Sequence, residues 1–493
     1  MNSVRTQFCL AQSKEKRDKA RSDPDRLTYH LMPPTGWLND PNGLCEYKGI
    51  YHIFYQYSPG RADGLSARGW GHYTTKDFIH YEEQDDPFVP DHQGDGKGSY
   101  SGSAVVDDNG LLHIFYTGNN KLEGNYDYIN SGRIHWVMHS CSQDGLFFSP
   151  KEVLLKNEDY PAYLSCHVRD PKLIRKQGRW YMVLGARTRQ NVGLAEVFAS
   201  QDLHHWTHCS TIRTEKPFGY MWECPDLFDL ENHHFLLVCP QGLETDGIRY
   251  ENIYQNGWFE VADDLDHDQY VREFKELDNG FDFYAPQTFL DDKGRRILIG
   301  WMGLPDSPYG NPTVDHGWQH ALSLPRQLHY RKGRLVQFPL EEILALHDRQ
   351  QKLELNGGDV FRLPGKSCHL RLHPQTDRWT MRLRKDCELQ YESGILTMSL
   401  GQSGYGRTRR HLAADTIEVL DIFSDTSSLE VFVNGGEFAM TTRIYDGPED
   451  LDLHTSSPVY GSIWSMKSFE IKERLEKKDP VTTCEIRENT DEG

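Results

Sequence analysis

"NDPNGLCEYKGIYHIFYQ", residues 39–56, holds the pattern on which the fold turns. Its first five residues read as a turn, because Pro, Asn and Gly each suit turn geometry for a separate steric reason. A short strand follows, then a turn at Gly49, then a strongly apolar strand. The same order returns in "SGSAVVDDNGLLHIFYTG" (101–118), "RDPKLIRKQGRWYMVLGA" (169–186), "ECPDLFDLENHHFLLVCP" (223–240) and "YAPQTFLDDKGRRILIGW" (284–301). The turn residues are Gly49, Gly110, Gly178, Asn232 and Gly294, at intervals of 61, 68, 54 and 62 residues. A weaker motif follows three of the units: "TKDFIHY" (75–81), "SQDGLFF" (142–148) and "SQDLHHW" (200–206). Each has a hydroxyl residue, an Asp and an aromatic four places after it, which predicts a hairpin late in the unit. Two strands and a hairpin make a four-stranded unit. Five such units in a ring predict an all-β fold, a five-bladed β-propeller. A β-sandwich with regularly spaced hairpins is the alternative.

In a propeller the first strand of each blade lines the central channel, and its leading end opens onto one face. Nine residues before each turn residue stand Asp40, Ser101, Arg169, Glu223 and Ala285, with Asp170 and Tyr284 adjacent. Three blades thus bring a carboxylate to one mouth. Glycoside hydrolysis needs two carboxyl groups of opposite ionisation around an oxocarbenium-like transition state. Glu223, in "YMWECPDLF", has apolar neighbours that favour a protonated acid. Asp40, among turn amides and Asn39, is expected to stay ionised and suit a nucleophile. Asp170, beside Arg169, is expected to stay charged through ion pairing.

Composition narrows the classes. The 493-residue chain carries a net charge of -19, which disfavours nucleic acid. No run approaches 18 apolar residues, so no membrane span is expected. The N-terminus lacks an apolar signal-peptide core, and the ten cysteines show no framework spacing; a cytoplasmic location with reduced thiols is expected. Aromatic residues make up 12%, in line with β structure and sugar-stacking surfaces. Oligomeric state is not readable, and a homodimer is only the general expectation.

The motifs "HLMPPTGWLNDPNG", "FYQYSP", "YSGSAV", "HVRDPK", "YMWECPDLF", "GFDFYAPQTF" and "GWMGLPD", with "SSLEVFVNGGEFAMTTRIY" at 427–445, resemble glycoside hydrolase family 32. Within it they look most like the intracellular bacterial hydrolases of sucrose and sucrose 6-phosphate. That resemblance implies a propeller followed by a C-terminal β-sandwich, and retaining hydrolysis of a fructofuranoside; separately, no cofactor or metal is expected. It implies Asp40 as nucleophile, Glu223 as acid/base and Asp170 as a third acid on the fructose hydroxyls. Asn39, Gln56, Tyr100, Ser101, Arg169, Tyr284 and Trp301 match sugar-pocket positions. "GRADGLSARGWGH" (60–72) lacks a tryptophan that many relatives carry; Trp70 either substitutes for it in the sugar pocket or belongs only to the "WGH" element. Tyr100 stands where Phe is common, and Cys166 where some relatives have Gly. Retention predicts carboxyl groups about 5–5.5 Å apart.

The expected domains are an N-terminal polar helix and extension (1–27), the propeller (28–335), a linker helix (336–351), the sandwich (352–475) and a charged tail (476–493). Cys224 reads as a packing residue rather than a nucleophile. The pairs His204-His205 and His233-His234 cannot chelate as pairs, because strand neighbours face opposite ways. "DDLDHDQ" (263–269) lacks the Gly and final Glu of a calcium loop. Two functions compete with sucrose hydrolysis. A fructosyltransferase or exo-fructanase would use the same acids, and a sugar-binding propeller would need no proton donor. Arg61, Arg68, Lys121, Arg133, Arg187 and Arg189 are candidates for a phosphate contact, and at least one is expected to rim the pocket.

Overall fold

A computed structural model describes residues 3–474. The five turn residues all adopt the left-handed backbone, with φ of 74° at Gly49, 75° at Gly110, 80° at Gly178, 66° at Asn232 and 76° at Gly294. At Lys48-Gly49, Gln177-Gly178 and Glu231-Asn232 both turn residues have positive φ, the twist that lets a two-residue hairpin close. The repeat read from sequence is therefore a repeat of backbone conformation.

Each hairpin opens a blade built on four antiparallel strands; Trp318–Gln319 and Glu470–Lys472 extend blade 1 in parallel, Gln269–Val271 extends blade 3 in parallel, and Ala321–Leu322 joins blade 5. Blade 1 comprises Gly36–Tyr47, Ile50–Ser58, Gly69–Thr75 and His80–Glu83. Blade 2 comprises Gly98–Val106, Leu112–Lys121, Arg133–Ser142 and Glu152–Leu155. Blade 3 begins at Leu164–Lys176, blade 4 at Met221–Leu230 and blade 5 at Tyr284–Leu290. The first strands touch in the order 1-2-3-4-5-1, which closes the ring. Apolar clusters fill the gaps between blades, such as Val183, Trp222, Leu236 and Phe259 between blades 3 and 4. The weaker motif is one turn used three times, joining third to fourth strand. Thr75, Ser142 and Ser200 accept from the amides two and three residues on, and Asp77, Asp144 and Asp202 do the same.

Three expectations need correction. The Asn-Asp-Pro-Asn-Gly run is not a turn; it lies inside the strand Gly36–Tyr47, whose register breaks twice, between Leu38 and Pro41 and between Asn42 and Cys45. Pro41 lacks the N–H that a regular ladder needs, so the turn-forming residues make bulges instead. The linker helix across 336–351 shrinks to Glu341–Leu344, because Arg334–Pro339 and His347–Leu355 are strands that flank it. Eight cysteines are free thiols, but Cys9 is disulfide-bonded, which the scattered spacing did not suggest. The expected N-terminal helix is two, Val4–Ala11 and Lys14–Arg21. The charged tail at 476–493 lies outside the described residues. No helix among the described residues is long and apolar enough to cross a membrane.

Beyond the connector, two six-stranded antiparallel sheets pack over a core that includes Trp379, Leu389, Leu420 and Val431. This sandwich is joined to the propeller through buried charge. Arg326 reaches Asp278 and Glu430, Asp282 pairs with Arg407, and His30 bridges Asp425 and Glu430 at 2.8 and 2.9 Å. Asp425 also accepts from the Thr28 and Tyr29 amides, so its carboxyl sits at about 2 despite burial. Its ordinary value is 3.8, so its contribution is full above about pH 4 and lost as pH falls towards 2. Asp425→Ala strips His30 of a buried partner and is expected to cost about 3–5 kcal/mol in urea unfolding at pH 7. The gap between variant and parent should narrow below pH 4. Equal stability at pH 7 would refute this role.

Candidate active site

The bulges decide which side chains reach the axis. Every first strand loses register at the same level. The breaks fall between Ser99 and Gly102, between Lys172 and Arg169, between Glu223 and Asp226, and between Tyr284 and Gln287, beside the blade 1 break at Pro41. Asp170, Cys224 and Ala285 take positive φ at 64°, 48° and 46°, each immediately before a proline. Counting from these prolines rather than from the turns makes Asp40, Asp170, Cys224 and Ala285 equivalent. Glu223 is one residue earlier, and Arg169 with it. The count of nine from each turn was therefore out by one in blades 3 and 4, because the bulges absorb a residue.

The three acids meet. Cys224 links them: its amide donates to Asp170 Oδ2 at 2.9 Å, and its sulfur lies 3.7 Å from Asp40 Oδ2. The Glu223 charge acts on both Asp40 and Asp170. Asp40 lies half-buried and accepts from Ser101 Oγ and, at 3.1 Å, from Asn39 Nδ2. Asn39 also donates to Gln56 and accepts from Trp37 Nε1, so its amide is fixed on both sides. Burial pushes the Asp40 carboxyl up; the Ser101 and Asn39 bonds pull it back, and the Glu223 charge adds to the rise. Turn amides take no part.

Glu223 departs from the apolar setting expected for it. Arg169 Nη2 donates to Oε1, while Gln241 Nε2 and the Tyr284 hydroxyl each donate to Oε2 at 2.7 Å. The flanking Met221 and Trp222 point into the core and leave the carboxylate among donors. Asp170 departs too. Its carboxyl is pushed up to about 7 by burial, which outweighs the pull of Arg169, and the charges on Glu223 and Asp40 raise it further. The guanidinium is committed to Glu223 and stands 3.8 Å from Asp170. His167 steadies it. Its Nε2 donates to the Tyr128 carbonyl at 3.0 Å, so Nδ1 accepts from Arg169 Nη1 at 2.9 Å. Burial and the neighbouring guanidinia hold His167 neutral, near 3.

Of the other expected pocket residues, Tyr100 is half-buried beside Arg133, and Trp301 packs against Trp37 and Tyr284 with ring centroids 5.9 and 6.2 Å apart. Trp70 is corrected. It is fully buried among Phe54, Phe88 and Tyr116 and donates Nε1 to the Tyr100 carbonyl at 3.0 Å. It supports the strand carrying Tyr100 and Ser101 instead of lining a pocket, because its strand position turns it into the gap between blades 1 and 2. Gln241, His167 and Trp37 were missed. Gln241 offered a signal, since it is the first polar residue after the apolar run "FLLVCP". Cys224 is a packing residue, as expected, and its thiol is pushed far up by burial and the acids around it.

Asp170→Asn keeps an acceptor for the Cys224 amide and removes the buried charge. It is expected to stabilise the unliganded protein by about 1–3 kcal/mol at pH 8. At pH 5.5 part of the gain should remain, because the unfolded carboxyl, at its ordinary 3.8, is still ionised and must take up a proton on folding; the gain should vanish only below about pH 4. Urea midpoints at the two pH values check this, and a variant no more stable at pH 8 than at pH 5.5 overturns it.

Comparison with known proteins agrees with this architecture. Residues 30–339 match the glycosyl hydrolases family 32 N-terminal domain, and residues 392–473 match the family 32 C-terminal domain. A sucrose-6-phosphate hydrolase of Bacillus subtilis (strain 168) is 38% identical over 473 residues, 92% of this chain and 96% of that one. The solved sucrose-6-phosphate hydrolase of Lactobacillus gasseri superposes with a TM-score of 0.84 at 29% identity, covering 94% of this chain and 97% of that one. A family 32 β-fructofuranosidase of Bombyx mori, solved as a mutant in complex with sucrose, gives a TM-score of 0.80 at 28% identity over 93% of this chain and 98% of that one. A ring of blades bearing three acids at its mouth, a sandwich behind it, and matches across most of the chain agree: the protein belongs to glycosyl hydrolase family 32.

Proposed function

We propose that the protein is a retaining β-fructofuranosidase that hydrolyses sucrose and sucrose 6-phosphate. The observation that carries this is the meeting of Asp40, Asp170 and Glu223 around Cys224, with unlike partners for each acid. Asp40, aimed by Ser101 and Asn39, attacks C2 of the fructosyl unit. Glu223 protonates the glycosidic oxygen, then activates the water that releases fructose. Asp170 binds the fructose hydroxyls, accepting from them. Asn39, Gln56, Tyr100, Ser101, Arg169, Tyr284 and Trp301 form the remaining sugar-facing wall in this reading.

The leaving group departs on the side of the acid, so groups around Arg169 face the glucosyl unit. Arg133 and Arg187 cluster there with His167. Arg133 Nη1 donates to Asn119 Oδ1 at 2.9 Å, and Arg187 donates to Asn191 and stacks on Tyr220 at 4.7 Å. Among the described residues neither ion-pairs with a carboxylate, whereas Arg61 is spent on Asp63. Two uncompensated guanidinia beside the leaving group suit a phosphate dianion.

Asp40→Ala is expected to lose at least about 10⁴-fold in kcat on every fructoside, while Glu223→Ala should lose about 10²–10⁴-fold on sucrose. β-Fructosyl fluoride, whose leaving group needs no proton, should recover much of the Glu223→Ala loss and none of the Asp40→Ala loss. Equal rates for both variants on the fluoride would refute the division of roles. Separately, Arg133→Ala and Arg187→Ala should each raise KM for sucrose 6-phosphate about tenfold or more and leave KM for sucrose nearly unchanged. Parallel changes on both substrates would remove the phosphate assignment.

A further inference from the structure

We infer a divalent transition-metal site of zinc class, remote from the acids, where blade 2 meets blade 3. Its ligands are His139 and Glu152 of blade 2 and His204 of blade 3. Glu152 Oε2 lies 3.3 Å from His139 Nδ1 and 3.3 Å from His204 Nδ1. All three ligand atoms fall within 4.8 Å of one another. Tetrahedral zinc with arms of about 2.0–2.1 Å has ligand-to-ligand edges of about 3.3–3.4 Å. Both measured edges have that length.

The same distances are longer than the short histidine–carboxylate pairs of the turns, although His329 and Glu231 also pair at 3.2 Å. Where a histidine and a carboxylate pair on this protein's surface turns, they close to 2.7 Å, as in His80–Asp77, His205–Asp202 and His267–Asp264. The Glu152 oxygen instead stands back equally from two imidazoles, beyond the usual charge-assisted hydrogen bond.

The surrounding groups prepare the ligands. His139 is almost fully buried, and its other nitrogen, Nε2, meets His113 Nδ1 at 2.9 Å. His113 Nε2 in turn faces Asp107 at 3.6 Å. With its Nε2 proton donated to His113 Nδ1, His139 keeps the Nδ1 lone pair for a cation. His204 is aimed by the Ser200–Asp202 turn, which also binds His205 to Asp202 and leaves His204 alone to face blade 2. This accords with the reading that adjacent histidines cannot chelate as a pair. Two imidazoles and one carboxylate suit zinc, with water as a fourth ligand. The other grouping of this kind, Asp229, His234 and Asp263, already holds the Lys176 ammonium and is satisfied without a metal.

The test uses the full-length protein stripped with chelator, then titrated with zinc against a chromophoric competitor. One tight zinc per chain is expected, with a rise in Tm on loading. His204→Ala and Glu152→Gln, both at partly exposed positions, should weaken that binding at least about tenfold and abolish the Tm rise. His205→Ala should bind as the parent does. Loading with cobalt should give the intense visible bands of a low-coordinate site, absent in His204→Ala. Failure of the parent to retain zinc, or equal retention by His204→Ala, overturns the site.

Discussion

Five strands converging on one axis cannot all keep their ladders intact, and the structure depends on how that constraint is met. Each inner strand breaks register at the same level, those of blades 1 and 3 at a second place as well, and each break frees buried backbone amides. Side chains of neighbouring elements satisfy them. Asp170 receives the Cys224 amide, Thr117 the Asp170 amide, Gln287 the Leu44 amide and Asp226 the Thr288 amide. Lys172 adds to this by pairing with Asp226 at 2.8 Å and donating to the Thr288 carbonyl. The ring is therefore stitched across blades by polar groups at its centre, while apolar clusters fill the wedge-shaped gaps farther out.

The site inherits its electrostatics from that stitching. Asp170 is both an inter-blade support and a member of the acid triad, so it is buried whether or not substrate is present. Three carboxylates gather around few opposing charges, and Arg169 is drawn to Glu223 by the shorter contact. Burial then decides the outcome at Asp170, whose carboxyl rises to about 7. A group that is costly to ionise in the free protein has free energy to release when sugar hydroxyls arrive as donors. That is a form of preorganisation in which the fold carries the cost in advance.

The sandwich contributes no acid, yet it is not an independent passenger. Arg326, at the edge of blade 5, is fully buried between Asp278 of the propeller and Glu430 of the sandwich. Asp282, two residues before Tyr284, pairs with Arg407 and receives the Arg443 amide. Tyr284 then reaches Glu223. The second domain thus fixes the entry to blade 5, and through it one donor to the proposed acid.

How far the sequence reveals this depends on whether a feature is local. Positive-φ turns are local, and Gly or Asn at each marked them, so blade number and hairpin positions were legible. The acids were legible as well, because a repeat assigns equal depth to residues far apart in the chain. What the repeat could not carry was side-chain environment. "WEC" reads as apolar around Glu223, but strand alternation sends Trp222 into the core and leaves Glu223 to Arg169, Gln241 and Tyr284, which come from three other strands. "RD" reads as an ion pair, and Arg169 does stand 3.8 Å from Asp170, but its shorter contact is to Glu223 on the next blade. Trp70 failed for the same reason: exposure is set by which gap a strand faces, not by the motif it belongs to. Adjacent letters missed the closest partners at both acids because those contacts are made across blades, at the level where the ladders break.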